Sequence, residues 1–408
     1  MKSIFFTALA LGVSLQAFSQ DFKASDIKKH IEFLASDDLE GRGTGSLGEI
    51  KAANYIAEQF KNAGLKPAGK DATYFQPFQV TYGIDGVPHM VTSRNVIGFL
   101  DNGAEKTVVV GAHYDHLGKG YQSGSLSPDS KNKIHNGADD NASGTTGLIE
   151  LAKYFAGNNR NEKRNLLFMA FSGEELGLLG SKYFTESPTI PLKSVSAMIN
   201  MDMIGRLDDA KGVIISGWGT SPIWGQVIPN LAAKNKIRYT VDSSGVGASD
   251  HTSFYLKNIP VVQFFTGTHS DYHKMSDDIE KINFEGEAHI LKLIAGVLEK
   301  VASEEKEPVF AEAGNPHAGR TTSNFKVTLG VMPDYSYQGK GLRIDGITKT
   351  RPADKAGMQA GDIVIKLAGK EISSIYDYMD VLGKHEKGQR VEVEFLRDQV
   401  KRVAEITF

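Results

Sequence analysis

From residue 107 onward the chain alternates short, almost wholly apolar runs with helical segments, and this alternation limits the folds open to it. Thr107 to Ala112, Asn165 to Phe171, Ser196 to Met201, Gly212 to Ser216 and Ile259 to Phe265 are the candidate strands. Leu148, Leu151, Ala152 and Phe155 make one helical face, and Ala288 to Val301 carries another. Strands apolar on both faces must be covered on both faces. The pattern therefore predicts an α/β fold, with a mostly parallel central sheet flanked by helices. In such folds functional sites gather beyond the carboxyl ends of the strands.

Five segments rich in acids and imidazoles fit that rule. They are GAHYDH (Gly111 to His116), GADDNASG (Gly137 to Gly144), SGEELG (Ser172 to Gly177), NMDMIG (Asn200 to Gly205) and DYHKMSD (Asp271 to Asp277). All but GADDNASG follow a candidate strand. Together they offer two histidines and three carboxylates able to hold a pair of zinc ions, with a further carboxylate for proton transfer.

His113 and Asp115 stand two apart at a strand end, so they can point to one side. His113 offers a ring nitrogen to a metal; Asp115 either accepts the other ring hydrogen or orients a neighbour. Asp140 precedes a helix, whose N-terminal amides are expected to hold its carboxylate. Glu174 and Glu175 would face opposite ways in a strand, so serving one site requires a turn after Phe171. One then binds metal while the other stays free to take a proton from water.

These motifs, in this order, resemble the zinc-dependent aminopeptidase family that includes bacterial leucyl aminopeptidases and the Streptomyces-type aminopeptidase. The resemblance covers residues 25 to 303. It implies two zinc ions, with cobalt or manganese also acceptable to such donors. The implied ligands are His113, Asp140 as the bridge, Glu175, Asp202 and His273. It makes Glu174 the general base and Asp115 the orienting acid. Tyr272 stands where some members use a tyrosine to stabilise the oxyanion, although a tyrosine there could simply pack. Ser249-Asp250-His251 resembles a segment near the family's substrate pocket. His116, His135 and His269 flank the site segments, whereas His30, His89, His289, His317 and His385 are expected to be structural or exposed.

The remaining features set the frame. Lys2, the apolar run Ile4 to Val13 and the small residues Ala17 and Ser19 read as a signal peptide over residues 1–19, implying a periplasmic or extracellular protein. The chain has no cysteine, which excludes disulfides, thiolate ligands and a catalytic thiol. A net charge of -3 with no basic run argues against nucleic acid, and no apolar run is long enough for a transmembrane segment. Gly43 to Gly48 contains a literal GxGxxG, but no βαβ unit surrounds it; it reads as a turn leading into a helix.

The domains are then a peptidase domain at 20–303, a Glu-, Pro- and Gly-rich linker at 304–323, and a small mainly-β domain at 324–408. Within the last, GLRIDGITKTRPADKAGMQAGDIVIKLAGKEI (Gly341 to Ile372) resembles the PDZ domains of exported bacterial proteases. The resemblance implies that Leu329, Gly330 and Val331 form a loop whose amides capture a peptide carboxylate. The implied substrates are peptides with a free N-terminus. Carboxypeptidase, glutaminyl cyclase and a metal-free peptide-binding scaffold are the alternatives.

Overall fold

The computed structural model describes residues 22–84, 87–122, 124–127, 129–158, 162–313, 327–333, 339–347, 350–373 and 375–408. The expected signal peptide and the second half of the expected linker, 314–323, lie outside the described residues. The larger sheet contains β1 (Lys66–Pro67), β2 (Phe75–Ile84), β3 (Val87–Leu100), β4 (Thr107–His113), β5 (Asn165–Phe171), β6 (Val195–Met201), β7 (Val213–Ser216), β8 (Tyr239–Val241) and β9 (Val261–Phe265). Their order is β1-β3-β5-β4-β6-β9-β7-β8, with β2 paired to β3. Every residue of β4, β5, β6 and β9 is buried, which explains why these four read as unbroken apolar runs.

The central strands β5, β4, β6 and β9 are mutually parallel. Antiparallel pairings confine themselves to the flanks, where β3 meets β5 and β7 meets β9. The β2–β3 hairpin is an addition that the sequence reading does not contain. Its signal was present: Gln76, Phe78 and Val80 are buried while Pro77, Gln79 and Thr81 are exposed, a period of two. Glutamines inside that alternation disguise it as polar sequence.

Helices cover both faces. α1 (Ala24–Leu34), α2 (Leu47–Asn62) and α3 (Gly144–Gly157) lie on one side with α5 (Pro222–Lys234) and α7 (Phe284–Ser303), and share one apolar cluster. The other face carries α4 (Leu179–Glu186) and α6 (His251–Tyr255), whose Phe184 and Phe254 pack with Phe171, Met198 and Val261. Each helix supplies a stripe, such as Ile27, Ile31 and Leu34 in α1, as the helical spacing demands. No helix among the described residues is long and apolar enough to cross a membrane.

The C-terminal sheet is antiparallel, with β10 (Val331–Pro333), β11 (Leu342–Ile347), β12 (Ile363–Leu367), β14 (Arg390–Arg397) and β15 (Val400–Thr407) in order, and β13 (Lys370–Glu371) beside β12. Short helices α8 (Pro352–Lys355) and α9 (Ile375–Gly383) accompany it. Its core, built around Leu329, Ile344, Val364, Leu367 and Val393, is separate from that of the larger sheet.

Candidate metal centre

Parallel neighbours end on the same side of a sheet, so β4, β5, β6 and β9 deliver their loops to one place. His113 is the last residue of β4, Glu174 and Glu175 follow β5, Asp202 follows β6 and His273 lies beyond β9. Asp140 enters from the segment Ala138–Ser143 that precedes α3. The amides of Gly177 and Leu178 both donate to Glu174 O, at 2.8 and 2.9 Å, closing the turn the adjacent glutamates required.

The donor atoms fall into two groups that share Asp140. On one side His113 Nε2 is 3.4 Å from Asp140 Oδ1 and 3.3 Å from Asp202 Oδ1. On the other, His273 Nε2 is 3.2 Å from Asp140 Oδ2 and 3.1 Å from Glu175 Oε2. Two donors at 2.0–2.1 Å from one tetrahedral zinc lie about 3.3 Å apart, so both groups have the spacing a zinc ion needs. Their chemistry, imidazole with carboxylate, suits the same ion. Glu174 Oε2 stands 4.0 Å from His113 Nε2, close to the groups without sharing their spacing.

The electrostatics match this crowding. Burial pushes Glu174 well above the ordinary carboxylate range, with Glu175, Asp202 and Asp250 adding to it against His113. Burial also raises Asp202, while His113 opposes the rise. Burial would raise Glu175 and Asp140 too, yet His273, His113 and His116 outweigh it; Glu175 is held down to about 2 and Asp140 well below its usual value. His113 and His273 are in turn raised by the carboxylates despite their burial. Without cations, imidazolium must supply the positive charge that this set demands.

Asp115 resolves the alternatives left open for it. Its Oδ1 accepts the Glu174 amide at 3.1 Å and its Oδ2 the Thr44 hydroxyl at 2.9 Å. His113 Nδ1 lies nearer the Asp115 carbonyl, 3.2 Å, than its carboxylate, 3.7 Å. The carboxylate thus sets the position of Glu174, and the main chain orients the imidazole.

One expectation fails. The amide of Gly144, at the start of α3, donates to Asn141 Oδ1 at 2.9 Å rather than to the Asp140 carboxylate. Asp140 is held instead from behind: its amide and that of Asp139 both donate to Asp277 Oδ2 at 3.0 Å, and Arg206 grips Asp277 Oδ1 at 2.9 Å. The helix amides are spent on closing their own turn, so a neighbouring acid does the holding.

Residues outside the motifs brace the centre. Arg42 is fully buried and donates to the carbonyls of Leu34, Tyr114 (2.8 Å), Asn136 (2.7 Å) and Gly137 (2.9 Å). It thereby ties the end of α1 to the segments bearing His113 and Asp140. Burial pushes its guanidinium down to about 10, and Asp140, Asp115, Asp277 and Glu175 resist the fall. Ser46 caps α2 by accepting the Glu49 amide at 3.1 Å, while Glu49 Oε2 accepts the Gly45 amide at 2.7 Å. Glu49 Oε1 also meets Ser93 and Ser172, just before Glu174. The GxGxxG segment is therefore the turn and helix start expected of it. At Gly48 a Cβ would fall 1.8 Å from the Leu39 carbonyl, so the close approach demands glycine. Sequence offered one clue to this brace, an arginine and a glutamate inside an otherwise small-residue turn.

Among the flanking histidines, His116 lies 2.7 Å from Glu175, His269 lies 3.1 Å from Asp139, and His135 bonds Ser125 at 2.8 Å. His251 is buried at the start of α6, which pushes it down to about 3, and Asp250 beside it is pushed up to about 7. Asn200 donates to Ser249 at 2.9 Å. The Tyr272 ring stacks on His273 with centroids 3.9 Å apart and packs against Met203, Ile214 and Phe265. His30 joins Tyr55 and Glu150 in the helical layer.

In the C-terminal domain, Leu329 is buried and its carbonyl accepts the Ala353 amide at 2.9 Å, at the start of α8. Gly330 has φ +74, and its amide donates to Thr328 Oγ1 at 2.9 Å. Val331 opens β10. Of the three expected carboxylate-binding amides, that of Gly330 is already engaged. Arg351, which precedes α8, donates to the carbonyl of Ser125 at 3.4 Å.

The model of Peptidase family M28 matches residues 95–298, and a PDZ domain model matches residues 326–408. The chain belongs to peptidase family M28 and carries a PDZ domain after its peptidase domain. It is 26% identical over 266 residues to leupeptin-inactivating enzyme 1 of Streptomyces exfoliatus, covering 64% of this chain and 53% of that protein. It is 28% identical over 231 residues to aminopeptidase YwaD of Bacillus subtilis, covering 53% of this chain and 46% of that one. The chain thus spans about half the length of these two relatives. The fold matches that of a zinc aminopeptidase from Bacillus subtilis with a TM-score of 0.57, 19% identity, 71% of this chain and 97% of the other. It matches a glutaminyl cyclase of Bacteroides thetaiotaomicron with a TM-score of 0.57, 17% identity, 70% of this chain and 99% of the other.

Proposed function

We propose that this protein is an exported aminopeptidase that uses two zinc ions to hydrolyse the first bond of peptides with a free N-terminus. The observation that carries the reading is Asp140. It turns Oδ1 toward His113 at 3.4 Å and Oδ2 toward His273 at 3.2 Å, separations that suit two ligands of one zinc ion in each case. His113 and Asp202 would hold one ion, His273 and Glu175 the other, and Asp140 would join them. Such ions polarise a carbonyl and acidify water when bound.

The chain's own residues supply the rest. Glu174 stands 4.0 Å from His113 on a turn fixed by Asp115, and in this reading takes a proton from the attacking water and returns it to the leaving amine. The carboxylates of Glu174 and Asp202 form an acidic environment that attracts a substrate ammonium, which explains preference for an unblocked terminus. The stacked Tyr272 ring stands next to His273, and its hydroxyl is our candidate for the oxyanion partner. The PDZ domain is proposed to recruit an extended peptide beside the Leu329–Val331 loop. The domain limits of 20–303 and 324–408 are proposed on the same basis, with export resting on residues 1–19.

His113, placed as a donor in a complete two-group set, favours a peptidase over a single-zinc cyclase. The test compares one short peptide with its N-terminus free and N-acetylated. Cleavage of the free form alone, at its first bond and abolished by chelation, is the expected result. Release of the C-terminal residue from both forms would make the protein a carboxypeptidase. Cyclisation of an N-terminal glutamine without hydrolysis would make it a cyclase.

A further inference from the structure

His116 is fully buried, and its ring nitrogen lies within 4.8 Å of carboxylate oxygens of Asp140 and Glu175, although it is not one of the five residues proposed above as ligands. Its Nδ1 lies 2.7 Å from Glu175 Oε1, and the other oxygen of Glu175, Oε2, is the one facing His273 at 3.1 Å. We infer that His116 is a positioning residue for the second donor group: it donates Nδ1–H to Glu175 Oε1 and so presents Oε2 to the metal. This inference rests on the two-ion reading above.

The distances separate this role from direct ligation. A fourth tetrahedral donor would lie about 3.3 Å from its partners. His116 Nδ1 is 3.9 Å from Asp140 Oδ2, which is too far, and its separation from Glu175 is that of a charge-assisted hydrogen bond. The ring is also fixed from outside the donor set. Its amide donates to the Arg42 carbonyl at 3.2 Å, and a Cβ on Gly137 would come within 2.5 Å of the imidazole. Gly137 has φ +56 and its carbonyl is held by Arg42, so the seat of the ring is part of the Arg42 brace.

A comparable partner exists for each imidazole donor. His113 Nδ1 meets the Asp115 carbonyl at 3.2 Å, and His273 Nδ1 meets the Gly124 carbonyl at 3.0 Å. Those partners are main chain and cannot be removed by substitution. The partner of Glu175 is a side chain, so a single substitution can remove it.

The experiment titrates metal-free full-length protein with Co²⁺ by calorimetry and visible absorption, using wild type, His116→Ala and His116→Asn. Asparagine keeps a donor near the position of Nδ1. We expect wild type to take up two ions. His116→Ala should weaken one of them by about 10- to 100-fold, the usual effect of removing a partner of a metal ligand, and leave the other unchanged. His116→Asn should recover most of that loss. In the dicobalt protein, NMR should show two shifted imidazole N–H signals, from His113 and His273, in all three proteins. Unchanged binding in His116→Ala, or equal loss in both variants, would overturn the inference. A third imidazole signal that disappears on substitution would make His116 a ligand instead. Uptake of one ion by wild type would overturn the two-ion reading and this inference together.

Discussion

In the C-terminal domain the buried carboxylate of Asp362 is met by Arg397 through two bonds of 2.7 Å, whereas in the N-terminal domain Asp140, Glu175 and Asp202 crowd together with only imidazoles between them. The cost of burying a charge is the same in both places. The first arrangement closes its account within the chain and needs nothing further. The second leaves negative charge in excess, a configuration stable only with protons or cations from outside. The contrast distinguishes a buried acid that holds a fold from the buried acids we propose as metal ligands.

The largest effect should fall on the acid that joins neither donor group. Glu174→Gln is expected to keep both metals and lower kcat by about two to four orders of magnitude, measured with metal analysis on the same sample. Near-normal turnover would remove Glu174 from the chemistry. Chelation should come next. It should lower the Tm of the N-terminal domain, since an ion at a hundredfold its Kd contributes about 2.7 kcal/mol. The transition of the C-terminal domain should not move. A shift of both transitions would show that the domains unfold as one.

The converse substitution is Arg397→Ala, which leaves Asp362 buried without its partner. A loss of up to about 3 kcal/mol is expected, confined to the C-terminal transition, with hydrolysis of short peptides retained. A milder case lies in the N-terminal domain at Glu287, which is fully buried on α7 near Asp139 and Glu150; burial holds it well above the ordinary carboxylate range. An acid raised in the folded state contributes its full stability below the unfolded value. That stability is lost as pH rises toward the folded one, by about 1.4 kcal/mol per pH unit inside the window. Glu287→Gln should therefore flatten the pH dependence of Tm above the ordinary glutamate range. An unchanged profile would mean that Glu287 does not titrate differently on folding.

Much of the candidate site was legible because the loops that carry the proposed ligands follow strands that are apolar throughout, and such strands announce themselves. His113 ends such a run, Glu175 and Asp202 stand shortly after two more, and His273 lies in the loop that follows a fourth. The bracing residues were not legible for the opposite reason. Arg42 acts through four main-chain carbonyls, and Asp277 through two main-chain amides. Main-chain partners leave no mark in a sequence, so an arginine in a glycine-rich turn looks like any solvated charge. The β2–β3 hairpin was missed because its buried face includes Gln76, Ser93 and Asn95, polar residues satisfied only by contacts across the fold. The helix amides were assigned to Asp140 when the following asparagine takes them, a competition that spacing does not decide.

The convergence of five distant loops also bears on durability. His113 at the end of β4 and His273 in the loop beyond β9 are separated by most of the peptidase domain's sequence, and Asp140, Glu175 and Asp202 fall between them. Joining residues so far apart closes long loops, and long loops are where a constraint on the unfolded chain has most to remove. Proteins that work outside the cell usually gain that constraint from disulfides. This chain has no cysteine with which to make one. The ions proposed for catalysis would then double as its crosslinks, and conditions that strip metal would expose the peptidase domain to proteolysis as well as silence it.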